Sequence, residues 1–323
     1  MIYTIDAMTD AMPSLPDLSS LTPQQLLEAL LPPEELAAQV RRALAEDLGA
    51  AGDVTGEAMI DASRTATAVV RLRKDGIACG AAVAAEVLRQ SAPGSMLSAH
   101  AADGERLEAG SVFLSVQGPL RGILAAERTL LNYVGRLSGI ATLTARYVDR
   151  ARGTKAAICD TRKTTPGMRM LEKWAVRCGG GTNHRIGLFD AMLVKDNHVA
   201  GLAPRAMAES VARAAAAARA AHPLRFVEVE CDTLDQVREI LALPAGAVDM
   251  VLLDNMMPDA IAAAVAARDA QAPRVLLEAS GGIGLEDVPS YAATGVDRIS
   301  IGALTHSASC LDVGLDIDLE TGT

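Results

Sequence analysis

Arg162, Lys163, His184, Arg185 and Lys195 supply five positive or protonatable side chains within one stretch, in the loops that follow strand-like runs. Bringing so many such groups to one place is costly unless an anion compensates them. The arginine fork suits planar carboxylates, whereas lysine acts as a point charge for phosphate. A ligand carrying several carboxylates, phosphates or both is therefore expected. Arg128, in a preceding helical pattern, is a candidate to join the cluster. Glu230 and Asp254 belong to the next two units. Beside a phosphate-rich ligand, such carboxylates usually hold Mg²⁺, which takes only one or two protein oxygens. The residues alone leave a second reading open, in which they neutralise Lys163 and Lys195 in salt bridges. Finally, Ser280-Gly281-Gly282-Ile283-Gly284 and Gly302 offer close backbone approach and free N–H groups at helix starts, suited to a phosphate.

These residues recur at one phase of a repeat, and the repeat says how they are positioned. Strand-like runs at 156–159, 191–194, 226–229, 249–253, 274–277 and 298–301 alternate with helical patterns, the mark of parallel βαβ units. In a parallel barrel the strand ends share one rim, where active sites are built, and the loops after the last strands commonly take a phosphate. Six units are fewer than an eight-fold barrel needs. The spacing predicts an incomplete parallel α/β barrel of six to seven strands over 141–323. Upstream, a helical pattern from Thr22 restarts at Pro32-Pro33, a strand reads at 65–73, and a hairpin at 103–118. A long helix follows from Arg121 to Arg152. Together these predict an α+β open-sandwich domain over 31–140 that includes the connecting helix. Residues 1–30 read as a flexible arm, and the C-terminal end is a candidate to pack back on the first domain.

Composition narrows the function. Half of the 323 residues are apolar and only 2% aromatic, which suits α/β layers. A net charge of −10 argues against nucleic-acid binding through a general basic surface. The basic stretch from Arg121 to Lys195 stands out within this acidic chain; Arg146, Arg150, Arg152 and Lys155 read as a solvated helix face. The five cysteines form no CxxC pair, which points to a reducing compartment without a disulfide framework or zinc site. No basic n-region precedes Arg41 and charge interrupts the apolar runs, so the expectation is a cytoplasmic protein that does not enter membranes. Gly179-Gly180-Gly181 lacks the P-loop Lys-Ser/Thr, and no GxGxxG follows a strand, so neither an ATPase nor a dinucleotide site is supported. His100, His222 and His306 read as surface or cap residues, and Trp174 as helix packing.

Long segments also carry a resemblance. Asp160-Thr161-Arg162-Lys163-Thr164-Thr165-Pro166-Gly167, Glu172-Lys173, Gly179 to Arg185, Val194 to His198, Val227 to Glu230, Leu252 to Asn255 and Glu278 to Ile283 are similar to the quinolinate phosphoribosyltransferases, of the type II phosphoribosyltransferase family. The resemblance runs from about Asp53 to Gly314. It implies transfer of phosphoribosyl from phosphoribosyl pyrophosphate to quinolinate with loss of CO₂, giving nicotinate mononucleotide and pyrophosphate, a step of NAD synthesis. It puts Arg128, Arg162, His184, Arg185 and Lys195 at dicarboxylate-binding positions. Lys163, Glu230 and Asp254 fall at positions for the sugar pyrophosphate and its Mg²⁺, and Ser280, Gly281, Gly282 and Gly302 at those for the 5′-phosphate. Lys163, Lys195, Glu230 and Asp254 are the expected catalytic set, with Glu230 and Asp254 holding the metal. The resemblance also implies a homodimer in which Arg128 crosses into the neighbouring site. The rivals are a paralogue with another pyridine or pyrimidine acceptor, a lyase forming a Schiff base on Lys195, and a non-catalytic sensor of the same ligands.

Overall fold

The computed structural model describes residue 18 and residues 20–318. Two helices come first, α1 (Pro23–Leu30) and α2 (Pro33–Leu48). Thr22 and Gln25 cap α1 reciprocally, and Pro23 occupies its first turn, where no amide is missed. Leu26 is fully buried and packs with Leu18 and Ile186. Residues 23–30 are therefore not part of a flexible arm, because an apolar stripe docks them. Of the rest of that expected arm, residues 1–17 and 19 lie outside the described residues.

The chain continues through α3 (Val54–Met59), β1 (Thr65–Leu72), β2 (Gly76–Ile77), α4 (Ala81–Ser91), β3 (Met96–Ala99), β4 (Arg106–Leu107) and β5 (Val112–Pro119) into α5 (Leu120–Ala151). The hairpin expected over 103–118 does not form. β4 pairs with β2 instead, while β5 lies between β1 and β3. Asp103 explains the diversion, because its carboxylate accepts the Gly80 and Ala81 amides at 2.7 and 3.1 Å and caps α4. Gly104 and Glu105 then bond to Ala78, so this segment is drawn to the start of α4 and away from β5.

Beyond α5 come β6 (Ala157–Cys159), α6 (Arg169–Cys178), β7 (Met192–Val194), α7 (Pro204–Ala221), β8 (Val227–Cys231), α8 (Leu234–Leu241), β9 (Met250–Asp254), α9 (Pro258–Gln271), β10 (Leu276–Ser280), α10 (Val288–Ala292), β11 (Arg298–Ser300), α11 (Ala303–His306) and β12 (Val313–Asp318). Six strands form one parallel sheet in the order β6-β11-β10-β9-β8-β7. Thr182 makes a parallel bridge to Cys159, which gives the β6 edge a rudimentary seventh partner. The last strand, β12, returns to pair antiparallel with β1, completing the sheet β12-β1-β5-β3.

Side-chain alternation sets what each face of the parallel sheet does. Val227, Val229, Cys231, Val251, Leu253, Leu277, Ala279 and Ile299 belong to the large hydrophobic core. The residues between them, Glu228, Glu230, Leu252, Asp254, Glu278, Ser280 and Arg298, fall on the opposite face, and the register aligns Glu230 with Leu252, Leu252 with Glu278, and Glu278 with Arg298. A polar interior is thus built into the period-two pattern.

Helix α5 ties the two sheets together. A Cβ on Gly139 would lie 2.1 Å from the Ser309 carbonyl oxygen, so only glycine lets residues 309–311 pass against the helix backbone on the way to β12.

Candidate active site

The C-terminal ends of the parallel strands open into a cavity of about 790 Å³. Of the expected site residues, Arg162, Lys163, His184, Arg185, Lys195, Glu230, Asp254, Ser280, Gly281, Gly282 and Gly302 all line it. Arg128 does not. Its side chain is 65% exposed and lines a separate cleft beside Glu46, Asp47 and Tyr133.

The cations arrive on two segments. Arg162 and Lys163 follow β6, and the Arg162 Nε is buried with no hydrogen-bond partner among the described residues. An unpartnered buried donor carries a desolvation cost that an anionic acceptor would remove. The segment after Thr182 carries His184 and Arg185, both buried. Arg185 has its pKa lowered by burial and then by the nearby Arg162 charge. Lys195 follows β7, and its ammonium pairs with Glu230.

His184 differs from the others. Its Nδ1 accepts the Arg185 backbone N–H at 2.7 Å, and its Nε2 lies 2.7 Å from Glu228 and 3.4 Å from Glu278. Burial alone would lower its pKa, but the two glutamates outweigh that and raise it. Both ring nitrogens therefore face protein groups. Glu278 is also held by Arg298 at 2.8 Å, so the buried charges compensate one another. Burial and the neighbouring Glu278 raise the Glu228 pKa; Glu278 itself ends lowered, because His184 and Arg298 overcome its burial. The three ligand atoms of His184, Glu228 and Glu278 lie within 4.8 Å of one another, a spacing a metal could use. The guanidinium of Arg298 already answers that charge.

Glu230 and Asp254 provide the remaining negative charge in the cavity. Asp254 has a raised pKa, first from burial and then from repulsion by Glu230, with Lys195 and Lys163 opposing. The two carboxylates form a hard-oxygen pair that suits a Mg²⁺ ion.

The phosphate-type rim is made from turns. Gly281 has φ +104, and a Cβ there would lie 2.7 Å from the Asn255 backbone nitrogen. Asn255 is itself at φ 53, the left-handed region rarely used by non-glycine residues. Its amide donates to the Ser280 carbonyl at 2.9 Å, and its side chain donates to Asp254 at 2.6 Å. The helix starts expected to help hold a phosphate are weaker than the sequence suggests. After Gly284 the chain makes a turn, α10 begins only at Val288, and α11 after Gly302 has four residues. Backbone turns form this rim, with Lys163 packed close over Gly302.

Other residues line the cavity without a signal in the sequence. His306, read as a surface residue, is exposed at the cavity edge, where Tyr147 of α5 also stands. Glu278 lines the cavity too, and it belongs with Glu228 and Arg298 behind it to the polar phase of alternating strands. Asn255 carries no local signal beyond its place after β9.

Known proteins match this architecture along most of its length. The family model described as quinolinate phosphoribosyl transferase, N-terminal domain, matches residues 53–138, and that for the C-terminal domain matches 140–316. A nicotinate-nucleotide pyrophosphorylase [carboxylating] from Mycobacterium leprae is 48% identical over 86% of this chain and 95% of its own length. A probable enzyme of the same name from Bacillus subtilis is 41% identical over 85% and 90%. The solved nicotinate-nucleotide pyrophosphorylase from Francisella tularensis superimposes with a TM-score of 0.80 at 37% identity, covering 89% of this chain and 98% of that one. With both domains matched in order and relatives aligned nearly end to end, the chain belongs to the quinolinate phosphoribosyltransferase family.

Proposed function

We propose that this chain transfers phosphoribosyl from phosphoribosyl pyrophosphate to the ring nitrogen of quinolinate and releases CO₂, forming nicotinate mononucleotide and pyrophosphate for NAD biosynthesis. The observation that carries the reading is one cavity holding Arg162, Lys163, Arg185 and Lys195 opposite Glu230 and Asp254, under a glycine rim. No single anion needs all of these groups; a dicarboxylate beside a phosphorylated sugar does.

In this reading Arg162, Arg185 and Lys195 bind the two carboxylates, and His184 holds Arg185 in place from beneath. Lys163 meets the pyrophosphate, while Ser280, Gly281, Gly282 and Gly302 take the 5′-phosphate. Glu230 and Asp254 would hold Mg²⁺, which supplies charge neutralisation on the departing pyrophosphate. The bond from C1′ to the pyrophosphate oxygen breaks as the ring nitrogen bonds C1′. The chain's task here is to hold the two reactants in line and exclude water. The bond from C2 to its carboxylate then breaks, its electron pair stays on C2 beside the cationic ring nitrogen, and a proton replaces CO₂. Arg162, Arg185 and Lys195 stabilise the carboxylates as this charge moves.

Arg128 has a place in the same reading if the chain is a homodimer. An exposed arginine outside its own cavity can complete the cavity of a second copy.

The acceptor test is direct. With phosphoribosyl pyrophosphate and Mg²⁺, quinolinate is turned over and nicotinate, which lacks the second carboxylate, is a poor acceptor. Equal turnover of nicotinate would replace this reading with a different acceptor specificity.

A further inference from the structure

Glu172 and Lys173 are adjacent on α6, fully buried and absent from the cavity lining. Buried charges are costly and have to be paired. The partners of these two diverge.

Glu172 joins the loop that carries Lys163, beyond Arg162, to the segment after Gly302. One oxygen accepts from Arg136 of α5 at 2.6 and 3.1 Å, and the other accepts the Thr165 amide at 3.0 Å, in the loop carrying Arg162 and Lys163. Arg136 also donates to the Thr305 and Ala308 carbonyls, which follow Gly302. The Thr305 hydroxyl closes the circuit by donating to the Lys163 carbonyl at 2.8 Å.

Lys173 serves another group. Its ammonium bonds Asp160 at 2.5 Å, and the same Asp160 oxygen accepts the His184 amide at 2.9 Å. The second Asp160 oxygen accepts from Asn183 at 2.6 Å, and Asn183 also donates to the Lys173 carbonyl. This circuit fixes the turn that presents His184 and Arg185.

We propose that Glu172 and Lys173 are positioning residues that divide the site, Glu172 setting the sugar-pyrophosphate half and Lys173 the dicarboxylate half. The assignment rests on the ligand halves proposed above. A carboxamide at 172 offers one acceptor in place of two, so either Thr165 or Arg136 loses its partner and the Lys163 and Gly302 segments drift. Loss of the ammonium at 173 frees Asp160 and loosens the turn bearing Arg185.

The test is a two-substrate kinetic comparison of the full chain with Glu172→Gln and Lys173→Met, with thermal unfolding measured in parallel. Glu172→Gln raises KM for phosphoribosyl pyrophosphate about tenfold while KM for quinolinate, which senses that loop only through Arg162, rises no more than about threefold, and Lys173→Met does the reverse. Should Lys173→Met not fold, Lys173→Arg keeps the charge but displaces Asp160 and is read by the same split. Folded variants whose two KM values rise together, or do not move while only thermal stability falls, overturn the division. Absence of turnover by the unaltered chain overturns the parent reading and the assignment of halves with it.

Discussion

Asn255 and Gly281 show how single residues shape the phosphate-type rim. Asn255 is the one non-glycine residue with positive φ among those described, and its amide sits where a Cβ on residue 281 would have to go. Strain of this kind persists only where surrounding contacts enforce it, and it concentrates at functional sites. Gly281→Ala meets both the φ penalty and a backbone clash. It is expected to cost on the order of 1–3 kcal/mol of stability and to raise KM for phosphoribosyl pyrophosphate, read by thermal unfolding and initial rates. Unchanged values for both would show that the turn relaxes without consequence. Asp254 gives a pH prediction. Burial, and then Glu230, raise its pKa. The ionised carboxylate is the form that would hold the proposed Mg²⁺, so Mg²⁺ affinity is expected to fall as pH drops through this raised pKa, above the ordinary aspartate value of about 3.9. The stability contribution runs the other way. It is present below the unfolded pKa and lost as pH rises through the folded one, because folding disfavours the charged form. Titrating Mg²⁺ activation against pH, with Asp254→Asn as the control that lacks this limb, measures the effect.

At the scale of elements, the parallel strands were legible because chemistry and period coincide. Val227-Glu228-Val229-Glu230 alternates, and each phase has its own destination: valines to the helices, glutamates to the interior. The position of Glu230 and Asp254 on the cavity wall follows from that phase once the strands are recognised as parallel. Other features depended on partners far away in the chain. The 103–110 segment looks like half of a hairpin, yet Asp103 has a better use capping α4, and nothing local announces the competition. The salt-bridge reading left open for Glu230 holds for Lys195, but choosing it, like the burial of His184 over Glu228 and Glu278, requires knowing which strands are neighbours. Gly139 lies in the same category, a mid-helix glycine that sequence reads only as a weakness. Alanine there would gain about 1 kcal/mol of helix propensity. The Cβ would also lie 2.1 Å from the Ser309 backbone oxygen, which cannot rotate away. Steric overlap wins, so Gly139→Ala is expected to be destabilising and to speed amide hydrogen exchange in β12. A stabilised variant with protected β12 amides would refute the close-approach argument.

The whole molecule must explain why Arg128 stands outside its own cavity. A homodimer with shared sites makes a prediction that no monomer can meet. Arg128→Ala and Lys195→Ala, each inactive alone, regain activity when mixed under conditions that allow exchange. Random reassociation makes half the dimers mixed, each with one intact site, so recovery approaches about a quarter of the unaltered rate. Failure to recover while exchange is demonstrated would assign Arg128 to its own chain or to no site. Among the described residues no helix is long and apolar enough to cross a membrane. If the cavity joins quinolinate to phosphoribosyl pyrophosphate and expels the 2-carboxylate, the two products appear together and can be counted. With quinolinate labelled in that carboxylate, phosphoribosyl pyrophosphate and Mg²⁺, one labelled CO₂ is expected for each nicotinate mononucleotide formed, with both lost in Arg162→Ala and in Lys195→Ala. Nucleotide formed without CO₂, or turnover that survives both substitutions, would contradict it.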